Sequence, residues 1–285
     1  MKRRILLPTD FSKNAWHAIH YAKALYANDD CDFYVLNVFN APIKMDFDPV
    51  MYMQPGDEYY ERAKNRSEEG LTEILDTLMF DDNGNPNHHF KTISTYGQPL
   101  EAIKNVVEDE DIDLIVMGTK GETGSNKVIY GSVAMHVMEK VRNCPVIVVP
   151  EKAKVRIPKE IVFPTSYKTH FKRKELQVLL ELAKNCGAKI AVLHVSEEDG
   201  LEPKQIEGQK RLTEYLEDVD FSFHKVTHAI VEPAVNIFVE SRQSDMVAFI
   251  NKKHRFFASI LTKPMVKGIT FHSKVPILVM HDLRN

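Results

Sequence analysis

Apolar positions along this chain fall into two alternating patterns. In the first half, short and nearly continuous apolar runs occupy 4–7, 33–38, 90–95, 113–117 and 146–149. Runs such as Leu114-Ile115-Val116-Met117 fit strands buried on both faces, as in a parallel sheet. Between them, 13–26, 58–79, 99–109 and 132–141 carry apolar residues at three- and four-residue spacing, the period of a helix with one buried face. Strands alternating with helices predict βαβ units, with crossovers on both faces of an open sheet. Segment 41–57 lacks periodicity and reads as a long loop, where functional lids often sit. Segment 81–87, rich in Asp, Asn, Gly and Pro, reads as a turn.

The pattern occurs twice. Ile5-Leu6-Leu7-Pro8-Thr9-Asp10 recurs as Ile161-Val162-Phe163-Pro164-Thr165-Ser166, and Tyr34-Val35-Leu36-Asn37-Val38 as Ala191-Val192-Leu193-His194-Val195. Gln98-Pro99 is matched by Glu232-Pro233, Asp113-Leu114-Ile115-Val116-Met117 by Asp245-Met246-Val247-Ala248-Phe249, and Pro145–Val149 by Pro276–Met280. Five matches in one order predict a duplication, with domains at 1–150 and 156–285 joined near Glu151-Lys152-Ala153-Lys154. A length of 285 residues agrees with two domains.

Composition narrows the function classes. Hydrophobic residues at 44% and charged residues at 27% are ordinary for a globular protein and exclude a collagen, a coiled-coil rod or a disordered tail. A formal charge of −3 does not advertise a general nucleic-acid binder. Residues 1–150 carry 15 basic and 23 acidic side chains, whereas 151–285 carry 22 and 17, so the halves have opposite signs, which favours docking over repulsion. Cys31, Cys144 and Cys186 are too few and too scattered for a disulfide framework or a CxxC pair. The basic start Met1-Lys2-Arg3-Arg4 leads into only Ile5-Leu6-Leu7 before Pro8, too short for a signal peptide, and no stretch approaches a membrane-spanning length. A cytoplasmic, thiol-reduced protein is expected.

One stretch carries chemistry. After the fourth strand come Gly118-Thr119-Lys120-Gly121, nine residues, and Gly131-Ser132 at the head of an amphipathic helix. Glycines permit positive φ and close approach of a ligand to backbone. Ser132 is a good N-cap, the N–H groups of the first helical turn form an anion site, and Lys120 adds positive charge. The same spacing also fits glycines that only turn the chain and a serine that only caps a helix. Pro8-Thr9-Asp10 ends the first strand, and in open α/β sheets ligands bind beyond the strand carboxyl ends where strand order reverses. A carboxylate at Asp10 beside a phosphate cradle suits a ribose hydroxyl or Mg²⁺, although Asp10 also fits an ordinary N-cap.

With Pro-Thr-Asp after strand one, Val38 at the end of strand two, and Gly-x2-Gly-x9-Gly-Ser before the last helix, the chain resembles the universal stress proteins, over nearly its whole length and twice. The resemblance implies tandem five-stranded parallel sheets in order 3-2-1-4-5, a Rossmann-like α/β fold, and bound ATP with Mg²⁺ in the nucleotide-binding branch. Carried across, Pro8, Thr9 and Asp10 would meet ribose or metal, with Asp10 reaching Mg²⁺ at most indirectly. Backbone near Val38 and Met117 would flank adenine, and Gly118, Lys120, Gly121, Gly131, Ser132 and Val133 would hold the phosphates. The second half departs from this pattern. Ile250, Lys253 and Lys263 stand at the glycine positions, Pro264 replaces Ser132, and Ser166 replaces Asp10. Each lost glycine puts a side chain where phosphate needs backbone, and Pro264 deletes an N–H. Lys252, Lys253 and Arg255 read as a solvated basic loop.

Other signals recede. There is no GxxxxGK[ST], GxGxxG after a first strand, HExxH or GxSxG. His17 and His20 share a helix face, His224 and His228 a strand face if that strand is regular, and His88-His89 edges a turn; none brings three or four metal ligands together. Cys144 reads as a buried small hydrophobe, and Met45, Met51 and Met53 as cover for a sheet edge. The expected function is an ATP-binding stress or regulatory protein with one nucleotide site in the first half and at most slow hydrolysis. The alternatives are a nucleotide-free scaffold for a protein partner and, from another class, an adenylyl-transferring ligase. Strands 146–149 and 277–280 are apolar sheet edges, and the resemblance implies that such last strands pair. The expectation is an intramolecular pseudo-dimer, with further homodimerisation open.

Overall fold

A computed structural model describes residues 2–40, 55–81, 85–119, 131–168, 172–197, 199–251 and 274–281. By contact the chain divides into two compact units, 1–137 and 138–285. In the first unit, β1 (Arg3–Pro8), β2 (Cys31–Phe39), β3 (His88–Tyr96) and β4 (Leu114–Gly118) alternate with α1 (Lys13–Leu25), α2 (Glu58–Asp81) and α3 (Pro99–Asp109). α4 (Ser132–Lys140) spans the boundary between the units. In the second unit, β5 (Val146–Val149) and β6 (Glu160–Pro164) precede α5 (Arg173–Cys186), β7 (Lys189–Ser196), α6 (Pro203–Leu216) and β8 (Phe221–Thr227). α7 (Val231–Arg242), β9 (Met246–Asn251) and β10 (Ile277–His281) complete it. The elements of residues 1–150 fall within a few residues of those the periodicity predicts.

β1 pairs parallel with β2 on one side and β4 on the other, and β3 pairs parallel with β2, giving the order β3-β2-β1-β4. The second unit repeats the arrangement as β8-β7-β6-β9-β10, all parallel. β5 joins this unit by antiparallel pairing with β10, which is why the contact boundary falls in α4 rather than near residue 151. The central strands are fully buried at their middles: Ile5, Leu6 and Leu7 in the first unit, Ile161, Val162 and Phe163 in the second.

The two units share construction detail below the level of strand order. Asp113 Oδ2 accepts from Arg4 N at 2.9 Å, and Asp245 Oδ2 from Glu160 N at 3.2 Å, so each fourth strand is tied to the start of its first strand. Thr9 N donates to Leu36 O and Thr165 N to Leu193 O, both at 2.8 Å. Phe11 and Tyr167 then both adopt left-handed backbone, at φ 66° and 58°. That conformation costs roughly 1–3 kcal/mol for a bulky residue and requires compensation. Thr9 Oγ1 accepts from Phe11 N at 3.0 Å and Thr165 Oγ1 from Tyr167 N at 3.1 Å. A helical glycine faces each aromatic residue. A Cβ on Gly70 of α2 would stand 2.7 Å from the Phe11 ring, and one on Gly208 of α6 would stand 2.1 Å from the Tyr167 carbonyl oxygen. Only glycine lets these helices approach so closely.

Candidate functional site

The site grows from the carboxyl ends of β1, β2 and β4, where the sheet order reverses across β1. Pro8 ends β1, and the turn after it is fixed by its own side chains. Asp10 Oδ1 accepts from Ser12 N at 3.2 Å, and Ser12 Oγ accepts from Ala15 N at 3.2 Å as the N-cap of α1. The cap is therefore Ser12, not Asp10. Asn37, buried on β2, donates from Nδ2 to Thr9 O at 2.8 Å and locks the turn to the neighbouring strand. His194 plays the same part in the second unit, with Nδ1 donating to Thr165 O at 2.9 Å.

At the end of β4, Gly118 has a different role from the one its motif suggests. Its backbone is not left-handed, and a Cβ there would lie 2.8 Å from Asn14 Nδ2 and 3.0 Å from Asn14 O. Gly118 thus lets α1 rest on β4. The contact is fastened by Asn14 Nδ2 donating to Thr119 Oγ1 at 3.2 Å, a hydrogen bond between buried groups. Thr119 O in turn accepts from Gly131 N at 2.7 Å, drawing the head of α4 to the end of β4. Lys120 and Gly121 lie outside the described residues.

α4 starts one residue earlier than a Ser132 cap implies. Gly131 O accepts the first helical bond, from Met135 N at 3.1 Å, so Gly131 holds the cap position and Ser132 is the first helical residue. The Gly131 N–H is already used by Thr119. The donors of the first turn are therefore those of Ser132, Val133 and Ala134, which a helix leaves without intrahelical partners.

These elements enclose a cavity of about 240 Å³. Nine of the eleven residues singled out from the sequence line it: Pro8, Thr9, Asp10, Val38, Met117, Gly118, Gly131, Ser132 and Val133. The others on its wall are Ala15, Leu36, Pro99, Ile103, Thr119 and Ala134. Two of these were legible. Leu36 lies two residues before Val38 on one strand face, and Ile103 one helical turn after Pro99. The wall thus combines aliphatic side chains with one carboxylate and the positive end of a helix. An apolar ring system and an anionic group fit the two kinds of surface.

The remaining sequence signals resolve structurally. Burial, and then the carboxylate of Asp29, push the Cys31 thiol up to about 12, so it stays protonated and inert. Cys144 is buried. His88 is a core residue with Nε2 at 3.0 Å from Tyr26 O, and His20 stacks on Trp16. His228 lies beyond the end of β8 in left-handed backbone, off the strand face of His224. Among the described residues no three His, Cys, Asp or Glu side chains gather as a metal site, and no helix is long and apolar enough to cross a membrane. Met45, Met51 and Met53 lie outside the described residues, as do Lys252, Lys253, Arg255, Lys263 and Pro264 of the second unit. Ser166 Oγ, at the position of Asp10, accepts from Lys168 N at 3.4 Å.

Comparison with known proteins gives a consistent picture. Residues 1–150 match the Universal stress protein family. The universal stress protein MJ0577 of Methanocaldococcus jannaschii is 30% identical over 161 residues, 53% of this chain and 97% of that protein. MJ0531 of the same organism is 29% identical over 156 residues, 53% of this chain and 84% of that protein. Among solved structures, a universal stress protein from Archaeoglobus fulgidus has the same fold, with a TM-score of 0.69 at 18% identity and 97% of each chain covered.

Proposed function

The chain belongs to the universal stress protein family, and from that premise we propose that it is a tandem member whose first repeat binds ATP. One observation carries the reading. The cavity at the strand carboxyl ends gathers Asp10, the aliphatic wall of Val38, Ile103 and Met117, and the free N–H groups at the head of α4. Adenine would lie against the aliphatic side chains, and the phosphates would meet the Ser132, Val133 and Ala134 N–H groups. A magnesium ion fits this donor set, because it takes oxygen ligands and is held mainly through substrate phosphates with one or two carboxylates. Asp10 would be that carboxylate, directly or through water.

The second repeat serves as a structural partner. Ser166 and Ile250 stand where the first repeat has Asp10 and Gly118, so the carboxylate and the small residue at the end of the fourth strand are both missing. Each repeat is read as contributing five strands in order 3-2-1-4-5, with β5 completing the first. The antiparallel pairing of β5 with β10 supports closure of both last strands within one chain, an internal pseudo-dimer. The role is nucleotide-dependent regulation in the cytoplasm, with no catalytic residue assigned and a protein partner that reads the bound state.

Ser132→Pro tests the site without breaking the helix. Proline is favoured at the first helical position and removes the N–H there together with the Ser132 hydroxyl, whose share Ser132→Ala measures separately. Losing one charge-assisted hydrogen bond, worth about 1.5–3 kcal/mol, should weaken Mg-ATP binding by roughly 10- to 150-fold. Unchanged affinity in a folded variant would remove the head of α4 from the site.

A further inference from the structure

The second unit contains a cavity of about 470 Å³ that has no part in the proposed nucleotide site. Its wall is built by the segment after β5, by α7 and the turn into β9, and by the approach to β10. Four cationic side chains reach it: Lys152, Lys154, Arg156 and Lys274. Two of them are neutralised in place. Arg156 pairs with the buried carboxylate of Asp245, and Lys274 Nζ lies 2.8 Å from Glu240 Oε1.

Asp245 has no capacity to neutralise more. Its second oxygen accepts from Lys159 N at 2.8 Å and Glu160 N at 3.2 Å, bonds that hold the start of β6. Lys152 and Lys154 meet no carboxylate among the described residues, which leaves two uncompensated ammonium groups on one concave wall. The carboxamides of Asn236 and Gln243 face the same cavity and make no side-chain hydrogen bond among the described residues. Asp245 holds Arg156 at this wall as an ion pair through Oδ1 alone, and the guanidinium keeps further N–H donors.

We propose that this cavity binds a small phosphorylated anion carrying at least two negative charges. Lys152 and Lys154 neutralise it, and Asn236, Gln243 and Arg156 supply hydrogen bonds. The volume falls within the range of small-molecule sites, about 300–1,000 Å³. Charge-assisted hydrogen bonds to phosphate are roughly twice as strong as neutral ones, and the donors here come from three chain segments. The ligand sits in the second repeat, which the nucleotide reading leaves without a ligand of its own.

The test is calorimetric titration of inorganic pyrophosphate into the full-length chain. Every protein used carries Ser132→Pro, so that phosphate capture at the head of α4 is suppressed. The expected result is one pyrophosphate per chain, weakened at least about tenfold by Lys152→Glu with Lys154→Glu. The same charge reversal on α6, Lys204→Glu with Lys210→Glu, should change affinity by less than about twofold, because both side chains are exposed, lie outside the cavity wall and are screened by salt. Equal weakening by both pairs would reduce the effect to net charge and overturn the proposal. So would absence of pyrophosphate binding, or binding of a polyglutamate peptide in its place.

Discussion

Gly118→Ala separates a packing glycine from a ligand-facing one. The new methyl group would stand 2.8 Å from Asn14 Nδ2, 2.9 Å from Asn14 Cγ and 3.0 Å from Asn14 O. No rotamer of Asn14 clears its own carbonyl, so α1 must move off β4. Overpacking of this kind costs about 1–3 kcal/mol. Movement of Asn14 also loses its buried hydrogen bond to Thr119, about 0.5–1.5 kcal/mol more. The sum, about 2–4 kcal/mol, should lower a urea midpoint by roughly 1–2 M for a slope near 2 kcal/mol/M. Trp16, the chain's single tryptophan, lies on α1, so its fluorescence follows the first unit. Asn14→Ala alone should cost about 1 kcal/mol, since it removes that hydrogen bond. In the double variant only the contact with the residue-14 carbonyl persists. It should therefore be more stable than the sum of the single effects by about 1 kcal/mol, a coupling within the range for contacting residues. Strict additivity, or a Gly118→Ala midpoint within error of the parent, would refute the packing role.

Two further outcomes follow from the same geometry. Gly208→Ala sets a methyl group against the Tyr167 carbonyl and Gly70→Ala sets one against the Phe11 ring, and a ring yields more readily than backbone. Gly208→Ala should therefore be the costlier, at about 3 kcal/mol against about 1–2, read by hydrogen exchange in β7 and β2 respectively; the reverse order would contradict the account. Burial opposes ionisation of Glu160, but hydrogen bonds from Arg242 and Ser244 outweigh it and hold its carboxyl below the ordinary 4.5. Its stabilising contribution is present above that value and is lost as pH falls through the lower folded one. Glu160→Gln should be less stable than the parent at pH 7 and converge with it in acid; a gap independent of pH would exclude this linkage.

Much of the fold was legible because burial leaves a plain trace in sequence. β1, β4 and β6 are buried on both faces, so their runs are nearly unbroken, and each helix keeps its three- and four-residue spacing. The site was legible in its membership more than in its construction. Serine caps helices well, so the sequence points to Ser132 as the cap, yet Gly131 holds that position and its N–H is taken by Thr119. Gly118 stands out in sequence through the spacing of its motif, while its constraint is Asn14, more than a hundred residues away. Gly70 and Gly208 belong to no motif, although a lone glycine within a helical pattern is itself a sign of close packing. Contacts between distant segments leave no periodicity, and these are the features that sequence alone did not place.

On the proposed reading only the first repeat keeps a nucleotide site. Titration of nucleotide-stripped full-length protein with Mg-ATP, followed calorimetrically for stoichiometry, tests it most directly. We expect about one ATP per chain, bound at the head of α4 beside Asp10. No binding, or two equivalent sites per chain, would contradict it.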